Sequence, residues 1–160
     1  MEDQTVMSQI VAGLAASGKT LAVAESITGG LLAAEVVAVP GASAVFRGGV
    51  VAYATELKSD VLGVDRKLLA DRGPVDPAVA AAMAAGVARR LGADIGVAST
   101  GVAGPAPLGG IGPGLVFVAV SDSAAGVSSV RGLQLSGDRG EIRAETVARA
   151  VALLAEYVLG

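Results

Sequence analysis

The chain has 160 residues, enough for one domain with a real hydrophobic core, and 52% of them are hydrophobic. It contains no His and no Cys, which excludes a Ser-His-Asp triad, a Cys-His dyad, disulfides and nearly every zinc site. The formal net charge is -3, with two Phe, two Tyr and no Trp, so the positive charge and stacking aromatics of a nucleic-acid surface are missing.

Val6, Ile10, Val11 and Leu14 recur at helical spacing and predict a helix over 4–16, stopped at Gly18. Thr20–Ala24 reads as a buried strand, and Gly29–Val39 as a helix stopped near Pro40-Gly41. Gly49–Tyr53 is a second strand. Thr55–Leu62 is a short helix closed by Gly63, and Asp65–Arg72 is another turn of helix. Asp76 and Pro77 open a long helix to Leu91, with Asp as N-cap and Pro at the first helical position. Ile95–Ser99 is a third strand, Gly101–Gly114 a Gly/Pro-rich loop and Leu115–Val120 a fourth strand. Val127–Leu135 follows as a fifth, in antiparallel hairpin geometry. The last helix spans Arg139–Leu159, with Asp138 and Glu141 as its capping box.

Strands alternating with helices predict βαβ units and a mainly parallel sheet covered on both faces, made mixed by the hairpin. Ligands of such folds sit beyond the carboxyl ends of the parallel strands. Three polar turns, Glu25–Gly30, Tyr53–Lys58 and Thr100–Gly104, are therefore expected at one edge. No run of roughly 18 apolar residues predicts a membrane span. Glu2 and Asp3, without a basic stretch, do not fit a signal peptide. Absent Cys fits a reducing compartment, and the expectation is a cytoplasmic protein. The Ala, Gly, Val and Arg bias fits a GC-rich bacterial genome. The Ala/Val-rich composition permits a buried contact in a homo-oligomer.

Gly13–Thr20 matches the phosphate-loop pattern G-x-x-x-x-G-K-[ST], which would suggest a nucleoside-triphosphate hydrolase. That mechanism needs a strand before the loop and a helix after it. Here a helix precedes and a strand follows, so Gly18 is expected as a helix cap and Lys19 as a solvated cation.

Without His or Cys, covalent catalysis needs a hydroxyl and another base, and a lysine held neutral can serve. The chain has three: Lys19, Lys58 and Lys67. Ser26 stands where a strand meets Thr28-Gly29-Gly30 and a helix. It is either an N-cap or a nucleophile beside free N–H groups that could hold an oxyanion or a phosphate. Lys58 is either a surface lysine or, if buried at the sheet edge, a usable base. Tyr53 could orient that lysine, relay a proton, or simply face water. Lys67 follows Asp65 and Arg66 and reads as solvated. Gly101 and Gly104 permit an ordinary turn or the close approach of a ligand. Arg139 is either a solvated first-turn residue or a bidentate phosphate ligand at a helix N-terminus. Glu25 is expected to be buried beside Ser26, with its partner unassigned. No carboxylate cluster has metal spacing, so no metal is expected.

Several segments occur in a characteristic order. They are Ala24-Glu25-Ser26-Ile27-Thr28-Gly29-Gly30, Pro40–Phe46, Gly48–Tyr53, Lys58, Leu62-Gly63-Val64, Gly73 with Val75, Thr100–Pro105 and Gly137-Asp138-Arg139. In this the chain, from about Leu21 onward, resembles the CinA C-terminal domain family, whose enzymatically active members are nicotinamide mononucleotide deamidases. The resemblance implies a single domain over residues 1–160 with a three-layer α/β/α fold and a mixed sheet of about five strands. It implies hydrolysis of the carboxamide of nicotinamide mononucleotide to nicotinate mononucleotide and ammonia, with no cofactor. The family's nucleophile falls on Ser26, its lysine base on Lys58 and its supporting tyrosine on Tyr53. The arginine of its Gly-Asp-Arg motif falls on Arg139, and Ser43 matches a serine near the site. Thr28, Gly29, Gly30, Thr100, Gly101 and Gly104 are expected to face the nucleotide.

Two segments depart from the family. Relatives often carry a longer acidic, glycine-rich loop ending in Lys-Pro-Val-Gly, whereas residues 106–114 here hold no charge. The Ser-Asn-Glu that frequently follows the tyrosine is Ala54-Thr55-Glu56. The larger N-terminal domain of two-domain relatives has no counterpart in these 160 residues, so a stand-alone form is expected. The altered loop also motivates an alternative, a non-catalytic nucleotide-binding or regulatory domain of the same fold.

Overall fold

Strand β1 (Leu21–Glu25) alternates Leu21 and Val23 with Ala22 and Ala24. Successive side chains of a strand point to opposite faces, so the alternation decides what packs on each side. In the computed structural model, which describes residues 4–160, the larger residues face one core and the alanines the other. The chain continues as helix α1 (Val6–Ser17), β1, α2 (Leu31–Val37), a 3-10 turn (Ala42–Ala44) and β2 (Phe46–Val51). Then come α3 (Thr55–Asp60), α4 (Arg66–Arg72), α5 (Pro77–Leu91), β3 (Ile95–Gly101), β4 (Leu115–Asp122), β5 (Val127–Gln134) and α6 (Arg139–Leu159). Glu2 and Asp3 lie outside the described residues.

The sheet order is β2-β1-β3-β4-β5. β1 pairs in parallel with β2 and β3, while β3–β4 and β4–β5 are antiparallel. Four strands share one direction and β4 opposes them. The fold is thus a three-layer α/β/α sandwich on a five-stranded mixed sheet, as expected. β2 begins and ends earlier than the sequence pattern suggests, so Tyr53 lies beyond the strand.

On one face Leu21, Val23, Ile95, Val97, Val118 and Val120 pack against α1, α2 and α6. On the other, Ala22, Ala24, Ala98 and Ala119 meet Val79, Met83 and Val87 of α5. Small residues there let α5 approach closely. A Cβ on Gly96 would sit 1.8 Å from the Ala84 carbonyl oxygen, so only glycine fits. The alanine-rich composition therefore reflects close helix-on-sheet contact. Each fully buried Val, Leu or Ile contributes about 1.5–3 kcal/mol.

The helix ends follow their sequence signals. Asp76 caps α5 with Pro77 after it, Gly18 closes α1 in the left-handed region, and Asp138 and Glu141 form a reciprocal capping box. Gly13 lies inside α1 and β1 follows it, the reverse of a phosphate loop. Lys19 departs from the solvated expectation. It pairs with Asp122 at the end of β4, and Tyr157 donates to the same carboxylate oxygen at 2.7 Å. This cluster ties α6 to the sheet and ends the triphosphate-hydrolase reading. Among the described residues no helix is long and apolar enough to cross a membrane.

Asp122 supports a stability prediction. Burial pushes its carboxyl up, but Lys19, the Tyr157 hydroxyl and the Ala125 N–H together hold it below its ordinary 3.8. A depressed carboxyl stabilises the fold above the unfolded value and loses that contribution as pH falls through the folded value. Asp122→Ala is expected to cost about 1 kcal/mol at neutral pH by taking the shared acceptor from half-buried Lys19 and Tyr157. Thermal melts at pH 7 and below pH 3 check this. The gap between variant and wild type should shrink in acid, and a gap that stays constant would contradict the assignment.

Candidate active site

The turns after β1, β2 and β3 all leave the carboxyl end of the parallel strands. They open onto one cleft of about 490 Å³, lined by Ser26, Tyr53, Lys58, Thr100, Gly101, Gly104 and Arg139, with Pro105–Leu108 as an apolar wall. Topology alone creates this convergence, because β1 lies between β2 and β3 and connections leave it in both directions.

Ser26 follows β1, and its N–H donates to the Ser99 carbonyl of β3. Glu25, 1% exposed, accepts the N–H groups of Leu32 and Ala33 at 2.7 and 3.1 Å. The partner that sequence could not assign is thus the first turn of α2, where a carboxylate satisfies free N–H groups and the helix dipole. Because Glu25 takes that end, Ser26 is not the N-cap. Its hydroxyl faces the cleft.

Lys58 is the one buried residue of α3, at 1% exposure. Its Nζ donates to Ser26 Oγ at 3.0 Å and to the Ala52 carbonyl at 2.8 Å. No carboxylate lies within salt-bridge distance of it among the described residues. Burial pushes its ammonium down to about 8, with Glu56 working weakly in the other direction. The neutral amine can keep one N–H on Ala52 and turn its lone pair to Ser26. Lys67, by contrast, is exposed and paired with Asp71.

Arg139 opens α6, but the N-terminus of that helix is filled by its own capping carboxylates. Its guanidinium instead reaches across the cleft, donating to the Gly104 carbonyl at 2.8 Å and the Tyr53 hydroxyl at 3.2 Å. Tyr53 therefore contacts Arg139, not Lys58, and its exposed ring forms a side of the opening. Thr100 lines the cleft while donating its hydroxyl to the Pro74 carbonyl at 2.7 Å. Gly101 and Gly104 line it too. The space their missing Cβ atoms leave is taken by Val116 and Pro113, so internal packing accounts for those glycines.

Thr28, Gly29 and Gly30, expected to face a nucleotide, do not line the cleft. Thr28 is fully buried, its hydroxyl sharing a 2.7 Å hydrogen bond with Ser99. The Gly29 N–H is engaged by the Ser26 carbonyl. Ser43 stands apart. It sits in the turn before β2, in a separate hollow with Val37, Val39 and Phe46. The six residues of β2 separate that hollow from the cleft end of the strand, roughly 20 Å at the usual rise per residue.

Sequence reasoning missed Arg143. It donates to the carbonyls of Ile27 and Thr28 at 3.0 and 3.1 Å. Its spacing of four from Arg139 places both on one face of α6, which was the available signal.

The family model of the CinA C-terminal domain matches residues 3–158. A CinA-like protein of Frankia casuarinae is 48% identical over 99% of this chain, and one of Mycolicibacterium gilvum is 43% identical over 99%. The chain spans 36% and 37% of the lengths of those two relatives. A crystal structure of a CinA superfamily protein from Klebsiella pneumoniae superposes with a TM-score of 0.90 at 33% identity, covering 96% of both chains. The competence/damage inducible protein CihA from Agrobacterium tumefaciens gives 0.90 at 32% identity, covering 97% of this chain and 94% of its own. Motif order, sheet topology and these likenesses agree, and the chain belongs to the CinA C-terminal domain family.

Proposed function

We propose that the chain is a Ser/Lys amidohydrolase that converts nicotinamide mononucleotide to nicotinate mononucleotide and ammonia. The observation that carries this reading is a buried lysine with no carboxylate partner among the described residues, 3.0 Å from a serine that lines the cleft. Neutral Lys58 takes the Ser26 hydroxyl proton as Oγ bonds to the carboxamide carbon. The carbonyl oxygen becomes an oxyanion held by backbone N–H groups beside Ser26. Lys58 then gives its proton to the departing nitrogen, releasing ammonia and leaving an ester on Ser26. Water adds to that ester, losing a proton to Lys58, and Ser26 leaves with that proton to regenerate the dyad. The apolar wall Pro105–Leu108 suits a flat ring. Arg139 suits the phosphate, since with Lys58 neutral it is the cation of the cleft lining, which holds no carboxylate.

Ammonia release from nicotinamide mononucleotide, with Ser26→Ala alongside, tests the reading. Binding of the nucleotide without turnover would instead favour the non-catalytic domain that the uncharged loop suggests.

Arg139→Ala is expected to lower kcat/KM about 10–100-fold, the value of a charge-assisted contact. Most of that should appear in KM. Nicotinamide riboside, which lacks the phosphate, should be hydrolysed equally by variant and wild type. A variant that loses both substrates alike would remove Arg139 from phosphate binding.

A further inference from the structure

The polar side chains of the cleft lining are Ser26, Tyr53, Thr55, Lys58, Thr100 and Arg139. All but one have a partner in the protein. Lys58 bonds Ser26 and the Ala52 carbonyl, Arg139 bonds the Gly104 carbonyl and the Tyr53 hydroxyl, and Thr100 bonds the Pro74 carbonyl. Thr55 is the exception among the described residues. A threonine at the start of a helix often caps it, but the cap position of α3 falls on Ala54 and no side chain caps that end. Thr55 is exposed, and its hydroxyl keeps a donor and acceptor sites uncommitted.

Its place follows from helix geometry. Thr55 and Lys58 stand three apart, on one face of α3, with Cβ atoms about 5–6 Å from each other. Helical side chains lean toward the helix N-terminus, so the Lys58 stem runs back over the turn that Thr55 begins. Its hydrogen bonds agree. The Nζ reaches the Ala52 carbonyl, before the helix starts, and Ser26 Oγ at 3.0 Å. Thr55 therefore flanks the space in front of the lysine and the serine.

The amidase reaction puts a nitrogen in that space. As Oγ bonds to the carboxamide carbon, the nitrogen must face Lys58 Nζ, which gives it a proton before the C–N bond breaks. The nitrogen's own N–H groups then need acceptors. The Ala52 carbonyl is held by Lys58 and the Tyr53 hydroxyl by Arg139. The cleft lining holds no carboxylate. The Thr55 hydroxyl is the uncommitted side-chain acceptor beside the base. A hydrogen bond to it strengthens as the nitrogen gains positive charge, so it favours the transition state over the bound amide.

We propose that the Thr55 hydroxyl accepts an N–H of the substrate's carboxamide and forms the leaving-group side of the cleft, selecting primary amides over esters. The inference rests on the amidase reading above. Thr55 exchanges no proton. The Ser26 proton passes through Lys58 to the nitrogen, the C–N bond breaks, and ammonia leaves.

The test compares two substrates on the full chain, nicotinamide mononucleotide and the methyl ester of nicotinate mononucleotide. Both leave the same acyl group on Ser26, but the departing methoxy group has no N–H. For each, kcat/KM covers only the steps through release of the leaving group, so later attack by water does not enter. Thr55→Val keeps the shape and removes the hydroxyl. It is expected to lower kcat/KM for the amide about tenfold, mostly through kcat, the worth of one hydrogen bond to a charging group. The ester should change less than about twofold, and Thr55→Ser should stay within about twofold of wild type on both. Thr55→Ala carries the same expected amide-to-ester ratio should the valine variant not fold. A folded Thr55→Val protein that loses both substrates equally, or keeps its amide activity, overturns the inference while the amidase stands. A wild-type chain that releases no ammonia from nicotinamide mononucleotide overturns both.

Discussion

Ser26→Ala is expected to lower kcat for ammonia release by about 10⁴-fold or more, the scale seen when a covalent nucleophile is removed. Among the described residues the hydroxyl is the only nucleophilic side-chain group within hydrogen-bond reach of Lys58, so no described neighbour substitutes for it. The fold should survive. Ser26 keeps its backbone bond to Ser99, and the turn remains held by Glu25, Thr28 and Arg143. Losing one side-chain hydrogen bond costs about 1 kcal/mol, a fall of about 2–4 °C in Tm for a domain of this size. Nicotinate mononucleotide should still bind, because the Arg139 side of the cleft, the proposed phosphate site, is unchanged. Steady-state kinetics, a melt and calorimetry on the same preparation make the comparison. Full activity in a folded Ser26→Ala protein would end the Ser/Lys reading.

Lys58→Met should separate activity from stability. Turnover is expected to fall about 10³-fold or more, since the variant keeps the nucleophile but has no base to activate it. Stability should move the other way. The ammonium titrates near 8 in the folded protein and near 10.5 when exposed. The unfolded chain therefore binds the proton more tightly, and wild-type stability rises with pH between those values. Below pH 8 the fold carries the full cost of the buried charge, about 3 kcal/mol. Methionine removes that cost but leaves the Ala52 carbonyl without its donor, worth about 1 kcal/mol. A net gain of about 2 kcal/mol at pH 7 would raise Tm by several degrees. The gain should vanish near pH 10 and become a loss of about 1 kcal/mol above it, where only the missing hydrogen bond remains. In the wild type, kcat/KM should rise tenfold per unit up to about pH 8 and then level off, because the neutral amine is the active form. A profile flat between pH 6 and 9 would show that Lys58 is not the base.

The two lysines that look alike in sequence illustrate how much of the site was legible. Lys19 has the more familiar motif around it, yet the order of helix and strand already disqualified it, and the fold spends it on Asp122 and Tyr157. Lys58 has no motif of its own. Its candidacy came from elimination, since a chain without His and Cys has few bases left, and from the strand ending just before it. Ser26 was similarly ambiguous, because a cap and a nucleophile occupy the same place before a helix. The cap reading fell because Glu25 takes the N–H groups of α2, a contact between residues 25 and 32 that depends on how sharply the chain turns between them.

Ser43, Tyr53 and Arg143 mark where local sequence ran out. Ser43 lies one strand length from the cleft, and only the direction of β2 tells the two ends apart. Tyr53 pairs with a residue 86 positions away, and Arg143 with residues 116 and 115 positions away. No pattern of neighbours can announce such contacts.

The sequence by itself determined the helices, the strands, their caps and the alternation that sends alanines to one face and larger residues to the other. These depend on periodicity and on residues within a few positions of one another. It also narrowed, through the absence of His and Cys, any covalent catalysis to a hydroxyl with another base, such as a lysine held neutral. Only the tertiary structure showed which lysine is buried beside a serine hydroxyl. The ammonium of Lys58 loses its hydration because β1, β2 and α3 close around it, and desolvation depends on what surrounds a group in space, which no stretch of neighbouring residues specifies.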